Sequence, residues 1–230
     1  MIKTVALLAG GLATRLRPVT EKIPKSLIDI NGKPFIYHQL NLLKNNGIKK
    51  VVICAGYLSE MIEEYVKDGK EFGVEVVYSK DGEKLLGTGG ALKRALPLLG
   101  EKFFVMYGDS YLTVDYQKIA EDFEKSNYSA LMTIIKNENK WDTSNVIYEN
   151  GKIIKYDKNS SEKMDYVDYG LEIMTPECLN SIPNNIAVDL SDIFKDLIVK
   201  GKMGGYEVHE RFYEIGSFQG IEDLKNYLKI

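Results

Sequence analysis

Cysteine is scarce in this chain. Cys54 and Cys178 are the only two in 230 residues, too few for a disulfide framework or a thiolate metal cluster. Both sit in largely apolar stretches and read as small buried hydrophobes, as expected for a protein of a reducing compartment. Histidine is equally rare. His38 and His209 have no partner at metal-ligand spacing, and no Ser–His–Asp or Cys–His order marks a nucleophile triad. Neither sign of charge dominates: 30 basic against 33 acidic residues leave a net charge of −3, without the basic stripe a nucleic-acid surface needs. No apolar run approaches the roughly 20 residues of a membrane span. The opening Met1-Ile2-Lys3-Thr4 carries no signal-peptide pattern, so a cytoplasmic protein is expected, with neither membrane nor nucleic acid as partner. Internal repeats, low-complexity tracts and Pro/Gly/Ser linkers are also missing. With 44% hydrophobic and 27% charged residues, these absences leave a globular domain over residues 1–230 with a sizeable core. The rhythm of its elements divides it into halves of about 1–115 and 116–230.

What is present begins at Leu7-Leu8-Ala9-Gly10-Gly11-Leu12-Ala13-Thr14-Arg15-Leu16-Arg17-Pro18 and continues to Pro24-Lys25. An apolar, β-prone run ends in two glycines, which let backbone approach a ligand with no Cβ in the way. Arg15, Arg17, Lys22 and Lys25 follow. Free backbone N–H groups at a strand end, plus Arg and Lys, suit a polyphosphate. The spacing excludes a Walker loop, because no Lys follows Gly11 at the required distance. It also excludes a dinucleotide fingerprint, since neither Gly10-Gly11 nor Gly87-Thr88-Gly89-Gly90 supplies Gly-x-Gly-x-x-Gly.

The periodicity predicts alternating elements. Strands are expected at 5–8, 50–54, 74–78 and 103–107, and helices at 35–43, 59–66 and from Gly87, with Thr88 as the cap of the last. Short connections between them predict a parallel sheet with helices on both faces. Past Asp115 a helix over 116–125 leads into shorter strands, with Asn150-Gly151 as a hairpin turn. The overall expectation is an α/β, Rossmann-like, mostly parallel sheet with a more mixed second half and no C-terminal β-helix.

Sites in open α/β sheets lie beyond the carboxyl ends of the strands. The Gly10-Gly11 loop, the Gly87–Gly90 loop and Asp109 fall there, and so does Glu214 if its strand joins the sheet. A carboxylate following Tyr107-Gly108 suits a hard divalent cation that keeps most of its waters.

The opening stretch resembles the signature of the nucleotidyl transferases that join nucleoside triphosphates to sugar 1-phosphates: Leu-Ala-Gly-Gly-x-Gly-Thr-Arg-Leu-x-Pro, then Pro-Lys. Ala13 departs from it, standing where the third glycine is usual, and a negative φ is expected there. The resemblance implies that Leu8, Ala9, Gly10, Gly11, Gly87, Thr88 and Gly89 bind the nucleotide. It implies that Arg15 and Lys25 neutralise phosphate charge in catalysis, and that Asp109 and Glu214 bind Mg²⁺. Glu214 departs too, from the usual Asp. Lys155-Tyr156-Asp157-Lys158 and Asp168-Tyr169-Gly170-Leu171 resemble the family's sugar segments, which implies that Asp157, Lys158 and Gly170 bind the sugar and its phosphate. The implied partners are a nucleoside triphosphate and a sugar 1-phosphate, with a homodimer as an open state of assembly. GTP with D-glycero-D-manno-heptose 1-phosphate leads among the pairs, since the likeness is to short bacterial members acting on heptose or amino-sugar 1-phosphates. A cytidylyltransferase for phosphocholine, and a regulatory subunit whose catalysis has lapsed, stand as alternatives.

Overall fold

Side chains alternate across a strand, so a strand buried on both faces reads as one continuous apolar run. Val5 and Leu7 enter one core and Ala6 and Leu8 another. The computed structural model describes residues 1–11, 14–82, 84–138, 140–141 and 143–229, and the expected φ of Ala13 lies outside them.

The first half runs β1 (Thr4–Leu8), a short hairpin of β2 (Asp29–Ile30) and β3 (Lys33–Pro34), α1 (Phe35–Asn45), β4 (Lys50–Ala55), α2 (Ser59–Val66), β5 (Glu75–Lys80), α3 (Gly87–Leu99) and β6 (Phe103–Tyr107). The second half runs β7 (Ser110–Leu112), α4 (Tyr116–Lys125), β8 (Ala130–Lys136), β9 (Val146–Glu149), β10 (Lys152–Tyr156), β11 (Tyr166–Met174), α5 (Leu190–Val199), β12 (Met203–Val208), β13 (Phe212–Glu214) and α6 (Phe218–Tyr227). Asn150 (φ +50°) and Gly151 (φ +79°) make the left-handed pair that a tight hairpin requires.

One sheet of nine strands joins the halves in the order β5-β4-β1-β6-β11-β8-β12-β10-β9. β5, β4, β1 and β6 are mutually parallel, whereas β11 lies antiparallel to both β6 and β8. The parallel expectation therefore describes the first half, and the sheet as a whole is mixed. On one face α1, α2 and α4 supply Leu40, Ile62 and Phe123 to the core. On the other, α3 and α5 supply Leu92 and Phe194.

Thr88 does not cap its own helix. Its hydroxyl accepts the Leu190 N–H at 2.8 Å and so ties α3 to the start of α5. β13 does not join the large sheet either; it pairs with β7 in a separate ribbon, setting Glu214 opposite Ser110. A third, small core of Leu16, Ile28, Ile30, Tyr111, Ile215, Ile221 and Leu224 fastens that ribbon and α6 to the segment that follows β1. None of the described helices is long and apolar enough to cross a membrane.

Candidate active site

The carboxyl ends of β1, β4 and β6 meet where strand order reverses around β1, the place where open α/β sheets bind ligands. The ends approach closely. Ala9 N–H donates to the Cys54 carbonyl and Gly108 N–H to the Leu8 carbonyl, both at 2.9 Å. A Cβ on Gly108 would lie 2.8 Å from the Leu8 oxygen, so only glycine lets β1 and β6 close there. A Cβ on Gly10 would come within 3.3 Å of the Gly56 nitrogen, whereas one on Gly11 would meet none of the described residues within 4 Å. Gly11 thus faces open space.

Two clefts adjoin at this point. The first, about 280 Å³, is walled by Leu8, Ala9, Gly10, Gly11, Gly87 and Thr88, with Lys25 and Asp109 at one end. The second, about 490 Å³, holds Arg15, Lys158, Asp168, Gly170 and Glu214. Tyr107 and Asp109 belong to both.

The junction is charged. Lys25 Nζ lies 2.8 Å from Asp109 Oδ2, with side chains 18% and 30% exposed. Buried Gln39 on α1 holds the turn that carries this aspartate, its Nε2 donating to the carbonyls of Ser110 (2.8 Å) and Tyr107 (3.3 Å). Ile215 N–H donates to the Asp109 carbonyl at 2.9 Å, which brings the end of β13 alongside. A Cβ built on Gly216 would lie 2.6 Å from Glu214 Oε2 and 3.5 Å from both Arg15 Nη2 and Asp109 Oδ2. Arg15, Asp109 and Glu214 therefore surround one point. Glu214 is also occupied locally, accepting the Gly216 N–H and the Ser217 hydroxyl (2.5 Å) at the start of α6.

Two carboxylates converging on a spot open to a ligand fit Mg²⁺, a cation bound by one or two protein carboxylates plus substrate phosphates and water. Among the described residues there is no group of three or more His, Cys, Asp or Glu able to cage a metal unaided. That mode of binding needs none.

On the acceptor side, Lys158 Nζ lies 5.3 Å from the centre of the Tyr107 ring and 5.8 Å from that of Tyr156. Gly170 (φ +92°) sits at a register shift in β11, and its N–H donates to Asp168 Oδ1 at 3.0 Å. The Tyr107 hydroxyl is held far above its ordinary range, chiefly by burial and then by Asp168, Glu172, Asp189 and Asp109.

Two expected ligands stand elsewhere. The Gly89 N–H donates to the Val188 carbonyl at 2.8 Å, and a Cβ there would meet Ile193 at 2.6 Å. Gly89 serves the packing of α3 against residues 186–189 and does not line the first cleft. Asp157 is absent from the second cleft. Its carboxylate accepts the Asn159 N–H at 3.0 Å and faces Lys195 at 3.7 Å; the Asn159 bond first, and the lysines after it, hold it below the usual carboxylate range.

Other residues reach the clefts without having been singled out. Asp81, just past β5, lines the first cleft and accepts the Leu86 N–H at 3.0 Å through one oxygen. Burial, the largest influence on it, raises its pKa. Trp141, Phe212 and Tyr169, with ring centres 5.8 Å apart in successive pairs, wall the second cleft with Asn145 and Arg211. They lie too far apart in the chain for any spacing to announce them.

Residues 4–226 match the family described as nucleotidyl transferase. The chain is 30% identical over 213 residues to a D-glycero-α-D-manno-heptose 1-phosphate guanylyltransferase of Campylobacter jejuni, covering 91% of this chain and 93% of that protein. It is also 30% identical to a UTP–glucose-1-phosphate uridylyltransferase of Synechocystis, but spans only 55% of that protein's length. Among solved structures, HddC from Yersinia pseudotuberculosis complexed with GMP-PN superposes with a TM-score of 0.83 at 23% identity, covering 99% of this chain and all of that one. At that identity the likeness speaks for the fold alone.

Proposed function

The chain belongs to the nucleotidyl transferase family, and from that premise we propose that the first cleft binds a nucleoside triphosphate, the second a sugar 1-phosphate, and that the enzyme joins them with release of pyrophosphate. The observation that carries this is the pair Lys25–Asp109 at the junction of the two clefts, with Arg15 and Glu214 around the same point.

The acceptor phosphate attacks the α-phosphorus in line; it is already an anion and needs no general base. The barrier is repulsion between two polyanions, so catalysis is positioning and charge neutralisation. Lys25 has three donors, one engaged by Asp109, and the others reach toward the α-phosphate and the acceptor phosphate. Arg15 faces the β- and γ-phosphates. The open backbone at Gly11 admits the phosphate chain without a side chain in the way. Asp109, with Glu214, would hold Mg²⁺, which when bound neutralises phosphate charge. Lys158 and the Gly170 turn meet the acceptor.

Asp81 supports guanine as the base. An acceptor-only carboxylate oxygen on the wall of the base pocket suits adjacent N–H donors, which guanine has at N1 and N2, and opposes the carbonyls that flank the single N–H of uracil and thymine. The identity to a heptose 1-phosphate guanylyltransferase supports GTP with a heptose 1-phosphate as the leading pair. A second reading, phosphocholine as acceptor, draws on one observation: the rings of Trp141, Phe212 and Tyr169 would also suit a quaternary amine.

A panel decides. Pyrophosphate release is measured with purified protein and Mg²⁺, crossing GTP, UTP, dTTP, CTP and ATP with heptose, mannose, glucose and N-acetylglucosamine 1-phosphates and phosphocholine. Release with GTP and a sugar 1-phosphate is expected. Release with phosphocholine alone moves the assignment to the second reading, and none with any pair removes the catalytic role.

A further inference from the structure

Glu172 stands apart from the machinery just described. It lies in β11, fully buried, between Val105 of β6 and Met132 of β8. Among the described residues, neither of its carboxyl oxygens has a hydrogen-bond partner. An ionised carboxylate left so is expensive. The polar group beside it is another acid, Asp168, four residues back across the register shift at Gly170. Asp168 lines the second cleft, accepting the Tyr156 hydroxyl at 3.2 Å and the Gly170 N–H at 3.0 Å, while its own N–H donates to Asn145 at 2.9 Å.

Two carboxyls side by side form a hydrogen bond only if one of them keeps a proton. Asp168 is the better anion, because two donors already point at it. Glu172, deep in the sheet, is the better acid. We propose that Glu172 carries a proton and donates it to Asp168, so that the two acids hold one charge between them and fix Asp168, with Tyr156 and Gly170, as an acceptor surface for the hydroxyl groups of a polyol or sugar phosphate. Glu172 is thus a positioning residue for the acceptor, an inference that rests on the second cleft being the acceptor site.

The groups that act on the pair are Lys158 after β10, Tyr156 on β10 and Tyr107 on β6. Lys158 favours ionisation but sits over the tyrosine rings and makes no hydrogen bond to Glu172. Burial, and after it Asp168, raises the Glu172 pKa well above the ordinary carboxyl range. The sign of the linkage follows. A pKa raised by folding contributes stability that is whole below the unfolded value, about 4.3 for Glu, and is lost as pH rises through the folded value.

Glu172→Gln keeps a donor toward Asp168 and cannot ionise; Glu172→Met keeps neither. Melting temperatures of the full chain and both variants are followed from pH 4 upward. The wild type should lose ground to Glu172→Gln as pH rises. A difference that stays flat with pH overturns the shared proton, whatever the enzyme acts on. In steady-state kinetics Glu172→Met should raise KM for the sugar 1-phosphate tenfold or more with KM for the triphosphate unchanged, and Glu172→Gln should restore most of it. An unchanged acceptor KM in Glu172→Met, or equal losses in both variants, overturns the positioning role. Should the wild type use no sugar phosphate at all, the assignment of the cleft fails while the melting curves still decide the acid pair.

Discussion

Lys25 illustrates what a single side chain contributes here. Its ammonium is most of the way out of water and held on Asp109, so it is pre-positioned without the reorganisation a free lysine would need. Lys25→Ala should cost roughly 10²–10³ in kcat, the scale of losing one donor to transition-state charge. The melting temperature should hardly move, because the Asp109 left behind is partly solvated. Near-normal turnover would take Lys25 out of the mechanism. Asp109→Asn should abolish the response of activity to Mg²⁺ titration; an unchanged Mg²⁺ requirement would count against a ligand role. Asp81→Asn preserves an oxygen for the Leu86 N–H but replaces acceptor-only chemistry with an amide. The preference for GTP over UTP, measured as a ratio of kcat/KM, should fall roughly ten- to a hundredfold, the worth of a charged hydrogen bond.

At the level of elements, the site depends on parts that never touch a ligand. α1 reaches across with Gln39 to hold the Tyr107–Ser110 turn, and α6 with the β7–β13 ribbon presses the segment around Leu16 into place. Gln39→Leu leaves two carbonyls without their donor and should cost about 1–3 kcal/mol in urea melts, with a larger loss of activity because Asp109 loses its anchor. Glycines separate the two kinds of constraint. Gly11→Ala adds a methyl to open space and should leave stability intact while lowering affinity for the triphosphate. Gly90→Ala drives a methyl into the Ile186 carbonyl and should lower the melting temperature, since overpacking against backbone costs about 1–3 kcal/mol. Equal effects from the two would mean that the first cleft does not hold the phosphates.

For the molecule as a whole, the two cores lie on either side of a single sheet, so neither opens alone without exposing that sheet. The cysteines report on this. Cys54 and Cys178 both belong to the α3/α5 side; burial, then Asp81, pushes the Cys54 thiol up to about 12, and burial also raises Cys178. At pH 8 both should resist a thiol reagent in the native protein and become reactive together, along the urea unfolding transition. Rapid native labelling of either would reveal local opening on that face.

What the sequence by itself determined is what short-range chemistry dictates. The β1–Gly10-Gly11 turn, the alternation of strand and helix through Tyr107, the Asn150-Gly151 hairpin and the burial of both cysteines all rest on residues within a few positions of one another. Tertiary structure decided which polar groups remain free. Gly89 and Asp157 carry fitting residue types, yet the Val188 carbonyl takes the N–H of the first and Lys195 on α5 draws the carboxylate of the second. Glu214 reaches Asp109 through a ribbon outside the main sheet, and Thr88 caps a neighbour in place of its own helix. The aromatic wall of the second cleft and the buried acid at Glu172 have no local signature at all. A donor can be spent only once, and a carboxyl is starved of water only by what packs over it; both are settled by segments far apart in the chain.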